Sequence, residues 1–253
     1  MSESFKLDPI DAWSHWPLDR LRTEKEAAPR AFARGFEMRA FTDDERMFPS
    51  FSMCFNPAVR VADIKSRGWP TFVGCDLAGK KRPGNVIFAG AMDPQTHHRY
   101  PLEIHAGKWT STQMARRMFE THDRMPNCRC IMVEDNGYQE SLIDWIKTEG
   151  NATWWWKIEA FTTGANKSSM EIGLPSLELE FNKRMWQIPE GEWKGHPLTC
   201  TCGWCTWKSE MTDYPMSAST DTVMACWFFR EAISRWGGAG TSKGVVGSGF
   251  NVR

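Results

Sequence analysis

The sequence lacks a long hydrophobic run, an export signal and a net charge. No apolar stretch reaches the roughly 20 residues that span a bilayer, and residues 1–4 have neither the basic nor the apolar part of a signal peptide. The 31 basic and 31 acidic residues cancel, which excludes a generally basic nucleic-acid coat but permits a local basic groove. We therefore expect a soluble intracellular protein with no membrane partner.

The sequence also lacks a complete disulfide framework and a complete phosphate-binding motif. The eight cysteines lack the even spacing of a small secreted disulfide scaffold, so reduced thiols are expected. The run from Gly74 to Lys80 has the glycine and lysine spacing of a phosphate-binding P-loop. However, Lys81 stands where that motif needs Ser or Thr, and Pro83 interrupts the helix that would have to follow. We therefore do not expect a nucleotide-binding loop here.

The length of 253 residues suits one large domain, or one domain with an extension. Residues 1–65 are mostly rich in charge and helix formers and lack strand alternation, which predicts a partly helical N-terminal arm. Residues 66–236 predict the main domain. Residues 237–253 contain six glycines and little apolar pattern, which is typical of a flexible tail.

The main domain alternates strand and helix patterns. Strands are predicted at 71–77, 86–92, 100–105, 129–134 and 154–161. One helix is predicted to begin at about residue 110, and three more are predicted at 138–149, 175–184 and 221–236. The first three strands form a meander, and the later alternation indicates a mixed α/β sheet with helices on its faces.

Three acidic residues stand at the ends of apolar elements: Asp76 and Glu134 each end a buried strand, and Asp221 opens the last helix. A carboxylate at the tip of a buried strand borders a low-dielectric interior, so its ionised form needs a partner such as a divalent cation. The alternative is that Asp221 only caps its helix and the others are ordinary strand-end acids. Asp213 and Asp135 are reserve ligands, although Asp135 points away from Glu134 in a regular strand.

A second set of candidate ligands is His196, Cys200, Cys202 and Cys205. Thiolate and imidazole groups at close spacing suit a tetrahedral structural zinc ion. Free thiols in a loop are the favoured alternative, because zinc sites usually use two separated ligand pairs. A disulfide between Cys200 and Cys205 on oxidation is a third reading.

Basic residues lie in two loops that we expect beside the carboxylates. Lys80, Lys81 and Arg82 follow the first strand, and Lys167 follows the fifth in a loop of small polar residues. Such loops suit a phosphate backbone, which Lys and Arg bind without regard to sequence. A solvated surface is the alternative for each loop taken alone.

These motifs resemble the nuclease domain of the large terminase subunit of tailed bacteriophages, a ribonuclease H-like family, along most of the chain. Its members typically carry an aspartate that ends the first strand, a glutamate followed shortly by Asn-Gly, and an aspartate that opens the last helix. Asp76, Glu134 with Asn136-Gly137, and Asp221 match that pattern. The run from Trp16 to Pro49 is similar to the linker between the terminase motor and its nuclease.

The resemblance implies a ribonuclease H-like sheet, an antiparallel meander followed by parallel strands, and a metal-dependent endonuclease that cuts double-stranded concatemeric viral DNA during packaging. It also implies two Mg²⁺ or Mn²⁺ ions about 4 Å apart, held by Asp76, Glu134 and Asp221. The implied partners are double-stranded DNA, a packaging ATPase motor, the portal and the small terminase subunit, in the host cytoplasm.

The sequence departs from the family pattern at two places. Ser219-Thr220-Asp221 stands where His-Asp-Asp is common, and the cluster from Cys200 to Cys205 has no counterpart. No ATPase motor accompanies the nuclease motifs, so we expect either the C-terminal half of a longer protein or a separately encoded nuclease. The alternatives are another ribonuclease H-like nuclease, such as a junction resolvase, or a non-catalytic DNA-binding or assembly module of the same fold.

Overall fold

The computed structural model describes residues 17–27, 46–77, 84–134, 157–170 and 172–238. The chain divides into two compact units, Met1–Arg46 and Met47–Arg253. In the first unit the structure describes one helix, α1, Leu18–Ala27. The domain boundaries expected near residues 65 and 237 remain predictions.

The second unit contains two sheets and five described α-helices. Its strands are β1 (Phe55–Asn56), β2 (Thr71–Asp76), β3 (Asn85–Met92), β4 (Arg99–Gly107), β5 (Cys128–Glu134), β6 (Ile158–Phe161) and β7 (Ile188–Pro189). Its described helices are α2 (Val61–Ser66), α3 (Ser111–Arg124), α4 (Leu174–Asn182), α5 (Gly203–Asp213) and α6 (Asp221–Trp236). None of the helices in the described ranges is long and apolar enough to cross a membrane.

The central sheet has the strand order β4-β3-β2-β5-β6. Strands β2, β3 and β4 form an antiparallel meander, whereas β5 and β6 run parallel to β2. This arrangement confirms the predicted architecture, an antiparallel meander followed by parallel strands in a mixed α/β sheet flanked by helices. The short strands β1 and β7 pair in parallel as a separate two-stranded sheet.

Helices cover both faces of the central sheet because its inner strands are apolar on both sides. Every residue of β2 and β3 is buried, which is typical of strands covered on two faces. One face packs with α6 in a cluster that includes Phe72, Phe88 and Met132. The other face packs with α3 in a cluster that includes Val73 and Ile87.

Helix α3 begins as its sequence predicts. The Thr110 side chain accepts from the Gln113 backbone N–H, and the Gln113 side chain accepts from the Thr110 N–H. This capping box is worth about 1 kcal/mol. Met114 and Met118 then face the sheet and are buried, each contributing about 1.5–3 kcal/mol by removal from water.

Helix α6 lies unusually close to the middle of the sheet. A Cβ on Gly74 would lie 2.2 Å from the carbonyl oxygen of Ala225 and 2.2 Å from the backbone nitrogen of Phe229. Because both contacts are backbone atoms, no side-chain adjustment can make room for a methyl group. Gly74 therefore serves helix packing.

Several tryptophans fill the core. The buried ones among the described residues are Trp186, Trp193, Trp204, Trp207 and Trp227. Phe51 packs edge to face on Trp207, with ring centroids 5.1 Å apart. Residues from the segment that precedes β1 therefore contribute to the core of the second unit.

The sequence patterns were wrong or silent at a few elements. The loop predicted around Cys200–Cys205 is wrong in part, since Cys205 lies in α5. Helix α2 and the β1–β7 pair are too short for a periodic signal. In α4 the apolar side chain of Leu179 is 49% exposed. Three predictions fall wholly or partly outside the described residues: the helix at 138–149, the start of the strand at 154–161, and the tail from residue 239 to 253.

Candidate active site

Asp76 and Glu134 end neighbouring parallel strands at the same edge of the sheet. Cys75 pairs with Val133, so the next residue on each strand is Asp76 on β2 and Glu134 on β5. Neighbouring strands are about 4.8 Å apart. The fold therefore brings together two acids that are far apart in the sequence.

Strand alternation also places both acids on one face. Phe72 and Asp76 have the same parity on β2, and Met132 and Glu134 have the same parity on β5. Phe72 and Met132 belong to the cluster that packs with α6. Both carboxylates therefore belong to the α6 face of the sheet, and Asp76 is only 7% exposed.

The neighbouring cysteine belongs to the opposite face. Cys75 is fully buried in the α3 cluster. Burial raises the pKa of its thiol far above the ordinary value, and the nearby charges of Cys128 and Asp76 add to the effect. The thiol stays protonated, so the donors at this edge are carboxylate oxygens.

Asp221, the third acid, lies at the same end of the sheet. A Cβ on Gly84 would lie 2.5 Å from Oδ2 of Asp221. Gly84 directly precedes β3, and two residues later Val86 pairs with Asp76. The Asp221 carboxylate therefore contacts the chain just beyond the strand end that carries Asp76.

The direction of α6 agrees with this placement. Ala225 passes over Gly74 on β2, and farther along the helix the ring of Phe229 reaches the Cβ position of Gly90 on β3. Because Gly84 is near the start of the helix and Gly90 farther along, α6 runs parallel to β3 and antiparallel to β2. Its first residue, Asp221, is thus at the carboxyl end of β2.

The loop after β6 leaves the sheet at this edge too. Glu134 pairs with Phe161, and the hydroxyl of Thr163 donates to Oε1 of Glu134 at 3.2 Å. Lys167 lies in the following 3₁₀ turn, Gly164–Ser168. The Trp227 indole donates to the carbonyl of Ile172 at 2.6 Å and ties the end of this loop to α6.

Glu210 is a buried acid that the sequence analysis missed. Its Oε2 accepts from the backbone N–H of Thr222 at 2.8 Å and from the Thr222 hydroxyl. Burial raises the pKa of Glu210; the Thr222 hydrogen bonds oppose this, and the charge of Asp221 adds to it. The sequence did hold a signal, because Glu210 follows Trp207 by three residues on the buried side of α5.

Asp213, a reserve ligand, ends α5 and lines a cleft. The same cleft is also lined by Glu210, Ser219, His196 and Cys205. The other reserve ligand, Asp135, and the predicted DNA-binding residues Lys80, Lys81 and Arg82 lie outside the described residues.

The second predicted ligand set also converges. Nδ1 of His196 lies 3.6 Å from the sulfur of Cys200, 3.5 Å from that of Cys202 and 3.4 Å from that of Cys205. All four ligand atoms are within 4.8 Å of one another. These four side chains are therefore close enough to share one metal ion.

No protein-family model matches the sequence, and no curated protein is a significant match. The solved structures that the chain resembles include three large terminase nuclease domains, the family that its motifs resemble. That of the thermophilic phage G20c is 13% identical, with a TM-score of 0.43 over 66% of this chain and 82% of that one. That of phage P22 is 11% identical, with a TM-score of 0.44 over 71% of this chain and 94% of that one.

A third structure, the g2p nuclease domain of bacteriophage SPP1 with bound Mn, is 13% identical. Its TM-score is 0.35 over 51% of this chain and 76% of that one. These nuclease domains therefore differ from this chain at most positions.

Proposed function

We propose that this chain is a metal-dependent endonuclease that cuts double-stranded DNA, with Asp76, Glu134 and Asp221 as its metal-binding catalytic residues. The observation that supports the proposal is that Asp76 and Glu134 end neighbouring strands on the same face of the sheet, while the Asp221 carboxylate lies beside Gly84, just before β3. Ordinary strand-end acids and a helix cap do not require this arrangement.

The donor set fits Mg²⁺ or Mn²⁺. These cations prefer oxygen ligands, and the three side chains supply carboxylate oxygens only. Asp76 is nearly buried, and a bound cation would favour its ionised form in that environment. When bound, a pair of such ions activates water for attack on a phosphodiester and stabilises the leaving 3′ oxygen.

The surrounding residues hold these ligands in place. The Thr163 hydroxyl donates to Glu134 and limits its rotation. Glu210 binds the backbone N–H of Thr222 and so orients the first turn of α6, where Asp221 lies. Lys167, in a loop that leaves the same edge, supplies positive charge for a phosphate backbone.

The sequence resemblance supports a more specific role, the cleavage of concatemeric viral DNA during packaging in the host cytoplasm. In this role the packaging ATPase motor, the portal and the small terminase subunit are the partners. Lys80, Lys81 and Arg82 join Lys167 in the proposed DNA-binding surface. Asp135 and Asp213 remain reserve ligands in this proposal.

Plasmid digestion with Mn²⁺, with Mg²⁺ and with EDTA tests the proposal. We expect nicking and linearisation with either metal, none with EDTA, and none in Asp76→Asn, whose fold is checked by circular dichroism. The control Asp123→Asn changes an acid whose side chain is 73% exposed, and it keeps wild-type cleavage. Full nicking by Asp76→Asn would refute the assignment.

Two further measurements separate the alternatives. Comparison of linear duplex with branched DNA distinguishes a packaging nuclease, which cuts both strands of a duplex, from a junction resolvase, which prefers the branch. Calorimetric titration with Mn²⁺ distinguishes an enzyme from a DNA-binding or assembly module. A folded wild-type chain that binds no Mn²⁺ at neutral pH would favour the module.

A further inference from the structure

We propose that His196, Cys200, Cys202 and Cys205 bind one structural zinc ion. Their donor atoms differ from the carboxylate oxygens of Asp76, Glu134 and Asp221, since three donors are thiols and one is an imidazole. Soft sulfur ligands with imidazole select zinc over Mg²⁺ or Mn²⁺. The proposal does not depend on the proposed cleavage activity.

The distances in the cluster match a tetrahedral zinc site. With Zn–S of about 2.3 Å, Zn–N of about 2.1 Å and tetrahedral angles, sulfur and nitrogen lie roughly 3.6 Å apart. The three observed distances from Nδ1 of His196 to the sulfurs are 3.6, 3.5 and 3.4 Å. The donors are thus spaced as they would be around one shared ion.

Hydrogen bonding does not explain this convergence. A neutral imidazole nitrogen has either one proton or one lone pair, so Nδ1 can serve one partner well but not three sulfurs at once. A disulfide would join two of the sulfurs and leave the third sulfur and His196 unexplained. A central cation satisfies all four donors together.

The environment of these thiols differs from that of the other cysteines. Cys200, Cys202 and Cys205 are partly exposed, whereas the remaining five cysteines are buried: Cys54, Cys75, Cys128, Cys130 and Cys226. Buried cysteines behave as small apolar side chains, but partly exposed ones gain little from burial. Clustering of the exposed thiols therefore calls for a different cause, and metal binding provides it.

The site would join a loop to the start of α5. His196 and Cys200 precede the helix, Cys202 is its N-cap, and Cys205 lies in its first turn. Gly203 contacts the sheet closely, since a Cβ there would lie 2.0 Å from the carbonyl oxygen of Ile104 on β4. Four protein ligands leave no open position for substrate, which defines a structural site.

Zinc at this position would also support α6 indirectly. Glu210 follows Cys205 by five residues on α5, about 7.5 Å along the helix axis. Its carboxylate accepts from Thr222 at the start of α6. Loss of zinc is therefore expected to loosen α5 first, and the start of α6 through it.

The test is the metal content of the full chain, purified under reducing conditions and measured by plasma mass spectrometry. We expect about one zinc per chain in the wild type and in Thr201→Ala, a control at the exposed residue between two of the ligands. Cys202→Ser and Cys205→Ser lose at least nine-tenths of it. His196→Cys, which makes a four-cysteine site, retains zinc, whereas His196→Ala loses most of it.

Cobalt replacement keeps the proposal testable if the serine variants fail to fold. Wild-type chain stripped of metal and titrated with Co²⁺ is expected to show thiolate-to-cobalt charge transfer and the intense visible bands of tetrahedral coordination, both removed by one equivalent of Zn²⁺. Wild-type protein without zinc that also gives no such spectrum would overturn the proposal. So would Cys202→Ser with wild-type zinc content.

Discussion

The carboxylate of Glu210 accepts two hydrogen bonds from Thr222, one from its backbone N–H and one from its hydroxyl. Both bonds reach the same oxygen, and both residues are buried. The free N–H groups at a helix start need acceptors, and here a neighbouring helix supplies one. Since Thr222 directly follows Asp221, this contact links α5 to the proposed metal site.

Replacement of Glu210 by alanine is expected to lower both stability and cleavage. It leaves the buried N–H and hydroxyl of Thr222 without their acceptor, which costs about 1–3 kcal/mol in the free energy of unfolding. Glu210→Gln keeps an acceptor oxygen and retains most of the stability. Urea denaturation measures the loss, with the exposed Glu120→Ala as control. Equal stability of Glu210→Ala and wild type would contradict the role of this contact.

Gly84→Ala is expected to reduce cleavage with little loss of stability. The new methyl group would lie 2.5 Å from Oδ2 of Asp221, so the carboxylate must move. A displacement of about 1 Å at a catalytic group can cost on the order of a hundredfold in rate. Plasmid digestion with Mn²⁺ and a thermal melt measure the two quantities. Gly191→Ala is the matched control, because a Cβ there meets nothing within 4 Å.

If Gly84→Ala cleaves like the wild type, the position of the Asp221 carboxylate beside Gly84 is not the one that supports activity. If the variant instead unfolds at a much lower temperature, the contact serves packing. Only a loss of rate in a folded variant agrees with the proposed role of Asp221.

The ionisation of Glu103 is expected to make the free energy of unfolding depend on pH. Its carboxylate on β4 binds Lys65 at 2.6 Å and Arg124 at 2.8 Å, and it also contacts His105. Burial alone would raise the pKa of Glu103, but the hydrogen bonds from His105, Arg124 and Lys65 outweigh it and hold the pKa well below its usual range. The folded state therefore favours the ionised carboxylate.

The stabilising effect of a lowered carboxyl pKa is complete above the unfolded-state value, about 4.3, and is lost as pH falls toward the folded-state value. We expect Glu103→Gln to be less stable than wild type by roughly 1–3 kcal/mol at pH 7, since it loses bonds to charged groups. The difference narrows steadily below about pH 4. Urea denaturation from pH 7 to 3 checks this, and a difference that stays constant would contradict it.

Much of the fold follows from local patterns. The meander β2–β4 was predictable because its apolar runs are long and the residues between them are polar, and the structure confirms it. The start of α3 was predictable from Thr110, and the structure confirms it with a capping box between Thr110 and Gln113. Helix α5 was missed because three cysteines dominated its start, which hid the helical spacing of Trp204, Trp207 and Met211. The roles of Asp76, Glu134 and Asp221 remain predictions.

The sequence by itself determined that acids stand at the ends of buried elements and that sulfur ligands cluster around the start of α5, because both are properties of neighbouring residues. Only the tertiary structure decided which of them meet. Strand order places β5 beside β2, and the close contact of α6 with Gly74 aims its first residue at the strand end of Asp76. Such meetings depend on packing between segments more than fifty residues apart, which no local pattern records.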